Sequence, residues 1–496
     1  MEITSLLRGV NPDSPTTRGR GTAGPVIAFA LMDPAPADVL PAGAYGGSRP
    51  SRSDLLPPPE LAFDGRGALG AGTEAEPDEL EREIAAAVAS EAPAMEALLR
   101  RLIEQPSTLG NEAGGQAVMS EAFGDLGLQP IEVPMDAGAL RSHPAAAPFD
   151  WEVDGKINLV TPWGGTRGGR SLILNGHVDV VPAEADDQWS RPPFSAVREG
   201  DWVYGRGAAD MKCGLAAIVG AVRGLRALGL EPDGRLLLES VVEEECTGNG
   251  TLATVLAGHT ADAAIIAEPF GAAITTSQVG VLWFHVRLRG VSVHAGEGRH
   301  GVNAIEKSFD VIRALRGLEA ELNVSPPPPF DEIGHPINLN VGAIRGGAWA
   351  STVPAECETS FRIALYPGMA IRDLQDRIEA VVAEAAVEDP EIEAHPPEIR
   401  YAGFTSEGYE IAEDHPLVAT LASAFARRAG EAPVLVATTS TTDAVVLGSA
   451  GGTPAVCFGP YAERTHGVDE RVWFPSVVQT AQVMASFVRD WCGLTG

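Results

Sequence analysis

The sequence predicts an α/β fold, in which a smaller α+β domain interrupts a domain built on a mostly parallel central sheet. Up to about residue 280, apolar segments of strand length alternate with segments of helical period, which favours a parallel sheet covered by helices. The order then changes to strand, helix, strand, strand, helix, which is typical of a ferredoxin-like module. After Pro390 the first pattern returns, so two separate stretches of chain are expected to form the outer domain.

Composition limits the partners that are expected for the protein. With 496 residues the chain is longer than one ordinary core, so two or three domains are expected. A formal net charge of −31 disfavours nucleic acid and anionic membranes as partners, and no apolar run approaches the ~20 residues of a membrane span. The five cysteines are odd in number and form no C-x-x-C pair, which predicts a reduced, cytoplasmic protein.

The chain is expected to divide into four segments. Residues 1–78 are rich in Pro, Gly and Ala and lack a sustained period, which indicates a disordered tail. The first part of the outer domain is predicted at 79–280, the inserted domain at 281–398, and the second part of the outer domain at 399–496.

Apolar spacing and helix-stopping residues predict the individual elements. Pro106 ends the first predicted helix, and Gly127 and Gly229 end the next two. The outer domain is predicted to contain helices 80–103, 117–126, 214–228 and 416–429 and strands 129–133, 158–160, 172–174 and 235–242, with short strands near Val434 and Val456. The inserted domain is predicted to contain strands 282–288, 337–344 and 356–364 and helices 302–322 and 371–386.

The stretch at residues 175–182 follows a buried strand and carries His177 and Asp179. Side chains two apart on a strand share a face, and open α/β sheets bind their ligands at the carboxyl ends of strands. A histidine beside a carboxylate is a common arrangement for a metal ligand and the group that orients it. On its own the pair is more often a satisfied histidine beside a solvated aspartate than a metal site.

Four further acidic or histidine positions lie at predicted strand ends or in glycine-rich turns: Asp210, Glu245 in the run 243–245, Glu268 and His466. Each alone is compatible with a solvated charge or a helix cap. Together with His177 they would place three carboxylates and two imidazoles at one sheet edge, where a cation would relieve their repulsion. This donor set suits Zn, Co or Mn rather than Ca, and five ligands suit two metal ions with one bridging carboxylate.

Six stretches carry a resemblance to a known family. They are GHVDVVP at 176–182, YGRGAADMKCG at 204–214, VVEEECTGNG at 241–250, AEP at 267–269, VHAGEGRHGVNA at 293–304 and HGVDE at 466–470. In this order they resemble the M20 family of metallopeptidases and amide hydrolases, which includes acetylornithine deacetylase, succinyl-diaminopimelate desuccinylase, carboxypeptidase G2 and aminoacylase-1. The resemblance implies a zinc-peptidase-like catalytic domain, interrupted by a ferredoxin-like lid through which the protein forms a homodimer.

The resemblance also implies a role for each site residue. One metal ion would be held by His177, Asp210 and Glu268, and the second by Asp210, Glu245 and His466, with zinc expected and cobalt as the alternative. Asp179 would orient His177, Glu244 would act as the general base, and the lid residue His294 would stabilise the oxyanion in a neighbouring subunit's site. The peptide bond between Asp210 and Met211 is expected to be cis.

The substrate is less clearly defined by the sequence. Arg362, Asn340 and Arg345 are candidate contacts on the lid, whereas Val445 stands where many family members carry an arginine after a Thr-Asp-Ala turn. The resemblance implies hydrolysis of an amide bond in a small N-acyl amino acid or N-acyl amine. A dipeptidase or carboxypeptidase of the same family is the alternative, and a non-catalytic metal-binding scaffold is the rival from another class, against which the intact Glu244 argues.

Overall fold

The computed structural model describes residues 77–183, 186–271, 273–387, 390 and 394–496. Apart from its last two residues, the predicted tail at 1–78 lies outside the described residues. Among the described helices, none combines the length and apolar character that crossing a membrane requires.

The outer domain contains the first helices and strands of the described chain. Its helices are α1 (Glu79–Ser90), α2 (Ala92–Ile103), α3 (Ala113–Asp125), α4 (Ala137–Ser142), α5 (Lys212–Ala227) and α6 (Asn249–Leu256). Its strands are β1 (Ile131–Pro134), β2 (Ile157–Gly164), β3 (Leu172–His177), β4 (Val197–Glu199), β5 (Trp202–Tyr204), β6 (Glu231–Pro232), β7 (Arg235–Val241), β8 (Ala264–Ile266) and β9 (Ile274–Gln278).

The lid and the second part of the outer domain follow. The lid contains β10 (Gly280–Arg289), α7 (Ala304–Leu322), β11 (Leu339–Gly346), β12 (Glu356–Leu365), α8 (Ile371–Val387) and β13 (Glu398–Ser406). The chain then forms β14 (Tyr409–Glu410), α9 (Pro416–Ala429), β15 (Leu435–Thr438), β16 (Ala455–Cys457), β17 (Ala462–Glu463), β18 (Arg471–Trp473), α10 (Phe474–Cys492) and β19 (Leu494–Thr495).

The central sheet has the order β1-β2-β7-β3-β8-β16-β9-β14, with β15 also paired to β9. Its middle strands β7, β3, β8 and β16 run parallel, and antiparallel pairs lie toward the margins. β3 is completely buried, because α5 packs on it and α10, α2 and α1 pack in turn on α5. The predicted α/β class is confirmed.

The lid is an antiparallel sheet of order β11-β12-β10-β13, on which α7 and α8 pack. It has its own hydrophobic core, in which Phe284 stacks on Phe361 with ring centroids 5.0 Å apart. The strand–helix–strand–strand–helix–strand order confirms the ferredoxin-like module. The strand β13 belongs to this sheet, so the predicted boundary between residues 398 and 399 was wrong, because it cuts through the fourth lid strand.

Other predicted bounds also need correction. The single predicted helix 80–103 is two helices, α1 and α2, which meet at Glu91. Pro93 lies in the first turn of α2, where its missing N–H and fixed φ are tolerated, but it cannot continue α1. The strand predicted at 158–160 extends over all of β2.

Three parallel strands deliver acidic and histidine residues to one edge of the central sheet. β3 ends at His177, β7 is followed by residues 243–245, and β8 is followed by Glu268. The turn before α5 contributes Asp210, and the loop between β17 and β18 contributes His466. The fold therefore brings the predicted ligands together from five separate parts of the chain.

Candidate active site

The first group of side chains centres on His177, which is completely buried. Its Nε2 lies 3.0 Å from Oδ1 of Asp210 and 3.6 Å from Oε1 of Glu268. Its Nδ1 donates to the carbonyl oxygen of Asp179 at 2.9 Å, because a carbonyl can only accept. With Nδ1 donating to this carbonyl, Nε2 is directed at the two carboxylates, which is the orientation that a metal ligand needs.

The second group centres on His466. Its Nε2 lies 3.3 Å from Oδ2 of Asp210 and 3.0 Å from Oε2 of Glu245. Asp210 thus presents one carboxylate oxygen to each imidazole. This is the arrangement that the sequence predicted for a carboxylate shared between two metal ions. The cis peptide bond expected between Asp210 and Met211 is present and confirmed.

Asp179 has a second contact that the sequence did not predict. Its carboxylate lies 3.6 Å from Nδ1 of His177, and it also accepts backbone hydrogen bonds from Glu244 at 3.3 Å and Glu245 at 3.0 Å. One buried residue therefore holds the histidine of the first group through its carbonyl oxygen, and the backbone that carries the two glutamates through its carboxylate. Burial raises the pKa of Asp179 to about 7.

The carboxylates of the cluster are buried against one another. Burial raises the pKa of Glu244 well above its ordinary value, and burial together with the charge of Asp210 raises the pKa of Glu268 to about 8. Burial would also raise the pKa of Asp210, but hydrogen bonds from the two histidines hold it below its ordinary value. These buried carboxylates can therefore stay ionised only if positive charge lies among them.

The neighbouring carboxylates raise the pKa of both histidines. Burial alone would lower the pKa of His466, but Glu245 and Asp210 outweigh burial and raise the pKa to about 11. The same opposition, with Asp210 and Glu268 as the partners, raises the pKa of His177 well above its ordinary value.

The donor set fits two divalent cations. Ligand atoms lie within 4.8 Å of one another in two groups, His177–Glu244–Glu268 and His177–Asp210–Glu245. Within the described ranges, no lysine or arginine forms an ion pair with any of these carboxylates. Glu244 lies 3.7 Å from Nε2 of His177, almost as close as Glu268 at 3.6 Å, so the assignment of Glu268 as a ligand and Glu244 as the base stays a prediction.

Asp210 is held by a buried ion pair that the sequence did not predict. Glu470 accepts backbone hydrogen bonds from Ala209 at 2.8 Å and Asp210 at 3.1 Å, and it is paired with Arg206. Arg206 also donates to the carbonyl oxygen of His466 at 3.2 Å. Arg206 and Glu470 lie within two of the stretches that resemble the family, and only this position in the sequence could have indicated that they support Asp210.

Glu243, which precedes the two site glutamates, is fixed by a second buried ion pair. Its backbone is left-handed, with φ of 61°, a conformation that few residues other than glycine adopt. Its side chain accepts from Lys156 Nζ at 2.6 Å and from Trp151 Nε1 at 3.0 Å. Lys156 also contacts Glu112 at 2.7 Å, so one ammonium group forms ion pairs with two buried carboxylates.

The cluster forms the floor of a cleft of about 690 Å³ between the outer domain and the lid. The lid contributes Trp283, Asn340 and Arg362, which are direct cross-strand neighbours on β10, β11 and β12. The other lining residues are Val181, Asp210, Glu244, Glu245, Glu268, Pro269, Phe270, Val281, Asn338, Phe404, Thr439, Ser440, Thr441, Thr442, Thr465 and His466.

Four predicted site residues are not among those that line this cleft: His177 and Asp179, which are buried behind the lining carboxylates, and Arg345 and His294. Arg345 is exposed, and its cross-strand partner Glu358 lies four residues along β12 from Arg362, which is ~13 Å at the rise of a strand. Arg345 does not line this cleft, and its contact with substrate stays a prediction. His294 is exposed on the lid, where its Nδ1 accepts from Gly296 N at 3.1 Å, and its role in a neighbouring subunit stays a prediction.

An interrupted α/β domain with a shared-carboxylate cluster facing a ferredoxin-like lid defines the class of two-domain, metal-dependent amide hydrolases. Within this class, the chain belongs to the peptidase family M20/M25/M40, whose family model matches residues 173–490. The predicted membership and the prediction of an amide-hydrolysing enzyme are confirmed.

Several relatives are similar in sequence over most of their length. The N-formyl-4-amino-5-aminomethyl-2-methylpyrimidine deformylase of Halalkalibacterium halodurans is 32% identical over 66% of this chain and 80% of its own length. The acetylornithine deacetylase of Proteus mirabilis is 30% identical over 69% of this chain and 84% of its own. The succinyl-diaminopimelate desuccinylase of Dinoroseobacter shibae is 29% identical, with coverage of 74% and 97%.

Solved structures share the fold. Human carnosine dipeptidase 1 superposes with a TM-score of 0.68 at 15% identity, over 83% of this chain and 99% of that one. A dinuclear metal-binding peptidase of the M20 family from Bacillus subtilis gives a TM-score of 0.54 at 14% identity, over 82% and 99%. At this identity the likeness establishes the fold alone.

The Lys156–Glu243 pair leads to a stability prediction. Lys156→Met removes the ammonium and leaves Glu112 and Glu243 buried without a counter-charge, so the variant is expected to lose ~3–5 kcal/mol of stability. Urea unfolding of the purified protein measures the loss. Lys156→Arg keeps the charge and serves as the matched control, expected to recover most of the stability. A methionine variant that unfolds at the wild-type urea concentration would contradict the assignment.

Proposed function

We propose that the protein hydrolyses the amide bond of a small N-acyl amino acid or N-acyl amine, using two divalent metal ions, zinc or cobalt. The observation that carries the proposal is the placement of Asp210, which offers one oxygen to each of two histidine–carboxylate groups with Glu244 beside them. Among the relatives described above, those with 29–32% identity are named as deformylase, deacetylase and desuccinylase. These names support a deacylase over the peptidase alternative.

His177, Asp210 and Glu268 would hold one cation, and Asp210, Glu245 and His466 the other. When bound, the two cations supply Lewis acidity toward the substrate carbonyl and lower the pKa of a water in the cleft. The Glu244 carboxylate takes a proton from that water, whose oxygen attacks the carbonyl carbon. The C–N bond breaks, and Glu244 returns the proton to the leaving nitrogen, so that a carboxylate and an amine are released.

Arg362 and Asn340 are proposed to bind a polar group of the substrate on the lid side. Arg362 is half-buried, and one of its N–H groups donates to the carbonyl oxygen of Thr439 at 3.3 Å. Among the described residues, no carboxylate lies within ion-pair distance of its guanidinium, and burial lowers its pKa. An uncompensated guanidinium in a cleft is suited to a substrate carboxylate, as an N-acyl amino acid would provide.

We further propose that the protein acts as a homodimer through its lid, with His294 completing the partner's site. His294 is exposed on the same lid that covers the cleft, yet it does not line the cleft of its own chain. A donor aimed at the developing oxyanion is needed in the site.

The five cysteines are free and buried, which supports the proposed cytoplasmic location.

A substrate panel with metal removal tests the function. Release of free amine is measured from N-formyl, N-acetyl and N-succinyl amino acids and from dipeptides, before chelation, after chelation and after Zn²⁺ or Co²⁺ is restored. We expect N-acyl substrates to be cleaved, chelation to abolish turnover, and added metal to restore it. Preferential cleavage of dipeptides would support the peptidase alternative, and turnover that survives complete chelation would refute the proposal.

Glu244→Gln tests the general base. The variant keeps the size of the side chain but cannot accept the proton, so kcat is expected to fall by about 10²–10⁴-fold. Metal content measured by mass spectrometry is expected to stay at the wild-type level, because the proposed ligands are intact. Glu132→Gln, at an exposed position on β1, is the matched control and should behave as wild type. Equal kcat in wild type and Glu244→Gln would remove Glu244 from the mechanism.

Mixing two inactive variants tests the role of His294. Glu244→Gln and His294→Ala, allowed to exchange subunits, form heterodimers in which one site has both an intact base and an intact partner histidine. Random exchange in a two-fold dimer predicts recovery of about a quarter of wild-type activity. Size-exclusion chromatography confirms the dimer independently. If the mixture stays as inactive as its components, His294 does not act across subunits.

A further inference from the structure

The lid strand β10 is irregular at the point where it faces the cleft. Leu282 pairs with Thr405 and Phe284 pairs with Tyr401, so β10 has one residue, Trp283, where β13 has the three residues 402–404. Such bulges change the direction of side chains and occur often beside active sites. Here the bulge lies at the residue that lines the cleft opposite the cluster.

Gly403 fits the indole ring of Trp283 within this bulge. Its φ is +91°, and a Cβ at this position would lie 2.4 Å from Cε3 of the indole, so no larger residue allows the same contact. Its N–H donates to the carbonyl oxygen of Pro148 at 2.7 Å, which ties the bulge to the outer domain. The indole is therefore seated on a backbone that is itself held in place.

The seated indole offers a specific chemical surface to the cleft. Trp283 is half-buried, and no described residue accepts a hydrogen bond from its indole nitrogen. Phe270 and Phe404 also line the cleft, and Arg362 is the direct cross-strand neighbour of Trp283. An aromatic face bordered by apolar rings and by an uncompensated cation suits a flat ring, because aromatic rings stack in offset geometry and attract guanidinium groups.

We propose that Trp283 is a specificity-determining residue, and that the cleft takes N-acylated substrates that carry an aromatic ring stacked on its indole. This inference rests on the proposed amide hydrolase function and names a substrate class for the same site. Trp283 is not assigned a part in bond cleavage, so its removal is expected to change the preference among substrates more than the maximal rate.

Paired substrates test the inference. kcat/KM is measured for N-acetylphenylalanine against N-acetylalanine, where the ring is on the amine side, and for N-benzoylalanine against N-acetylalanine, where it is on the acyl side. Wild type is expected to prefer the ring-bearing member of at least one pair by about tenfold, as stacking energies allow. Trp283→Ala should reduce that ratio to about one to three, mainly through KM, and Trp283→Phe should keep most of it.

Two further variants test whether the position of the indole in the cleft matters, and not only the presence of a tryptophan on the lid. Gly403→Ala retains Trp283 but displaces the ring from its seat, so the ratio should fall as it does in Trp283→Ala. Trp349→Ala removes a tryptophan that is 74% exposed on the same lid and does not line the cleft, so the ratio should not change. Unchanged metal content and melting temperature show that a variant is folded.

The outcomes are distinct for the two proposals. Turnover of the panel with no ring preference in wild type, or with a preference that Trp283→Ala retains, would overturn the inference and leave the amide hydrolase function standing. Absence of metal-dependent turnover on every N-acyl substrate would contradict the proposed function, and the inference would fall with it.

Discussion

The site depends on a concentration of like charge that the fold enforces. Asp179, Asp210, Glu244, Glu245 and Glu268 converge behind one cleft, and every one is largely buried. Removing carboxylates from water is costly unless positive charge accompanies them. The buried core of the outer domain holds the strand ends in place, so the repulsion cannot relax by separation of the side chains. The proposed affinity for divalent cations would follow from this forced proximity.

Two of the protein's positive charges near this cluster, those of Arg206 and Lys156, are committed to other partners. Arg206 is paired with Glu470, and Lys156 lies between Glu112 and Glu243. Both pairs fix the backbone on which site residues stand, and neither neutralises the site carboxylates. Arg206 and Lys156 thus position the backbone of the cluster, and the negative charge of the site carboxylates remains available to the proposed metal ions. If a lysine or arginine paired directly with Asp210 or Glu245, it would compete with a metal ion for the same oxygens.

The sequence predicted those parts of the site that lie in short, ordered motifs. His177, Glu245 and Glu268 directly follow or end apolar strands, and the parallel sheet brings those ends together. The Lys156–Glu243 pair joins residues 87 positions apart, and no local pattern marks such a contact. The place of Arg345 outside the cleft depends on the register of β11 against β12, which shifts between Val341 and Ala343 and which no local pattern reveals.

The fold itself was predictable to the same extent and for the same reasons. Alternation of strand and helix patterns identified both domains, because each element carries its own apolar period. The fourth lid strand, β13, was assigned to the wrong domain because its sequence does not show that its partner is β10, more than a hundred residues earlier. The break between α1 and α2 was missed although Pro93 marks it, because apolar spacing continues across the junction.

The two domains have different proposed roles in the enzyme, and each packs around its own hydrophobic core. All the proposed metal ligands and Glu244 stand on the outer domain, whereas Trp283, Asn340 and Arg362 stand on the lid, which packs around a separate hydrophobic core. A substitution on the cleft-facing side of the lid sheet therefore changes which molecule fits the cleft without disturbing the strand ends that hold the cluster. This division is consistent with the relatives named for formyl, acetyl and succinyl groups, which are similar to this chain over most of their length. Specificity in this chain should be sought in the lid, and reactivity in the edge of the central sheet.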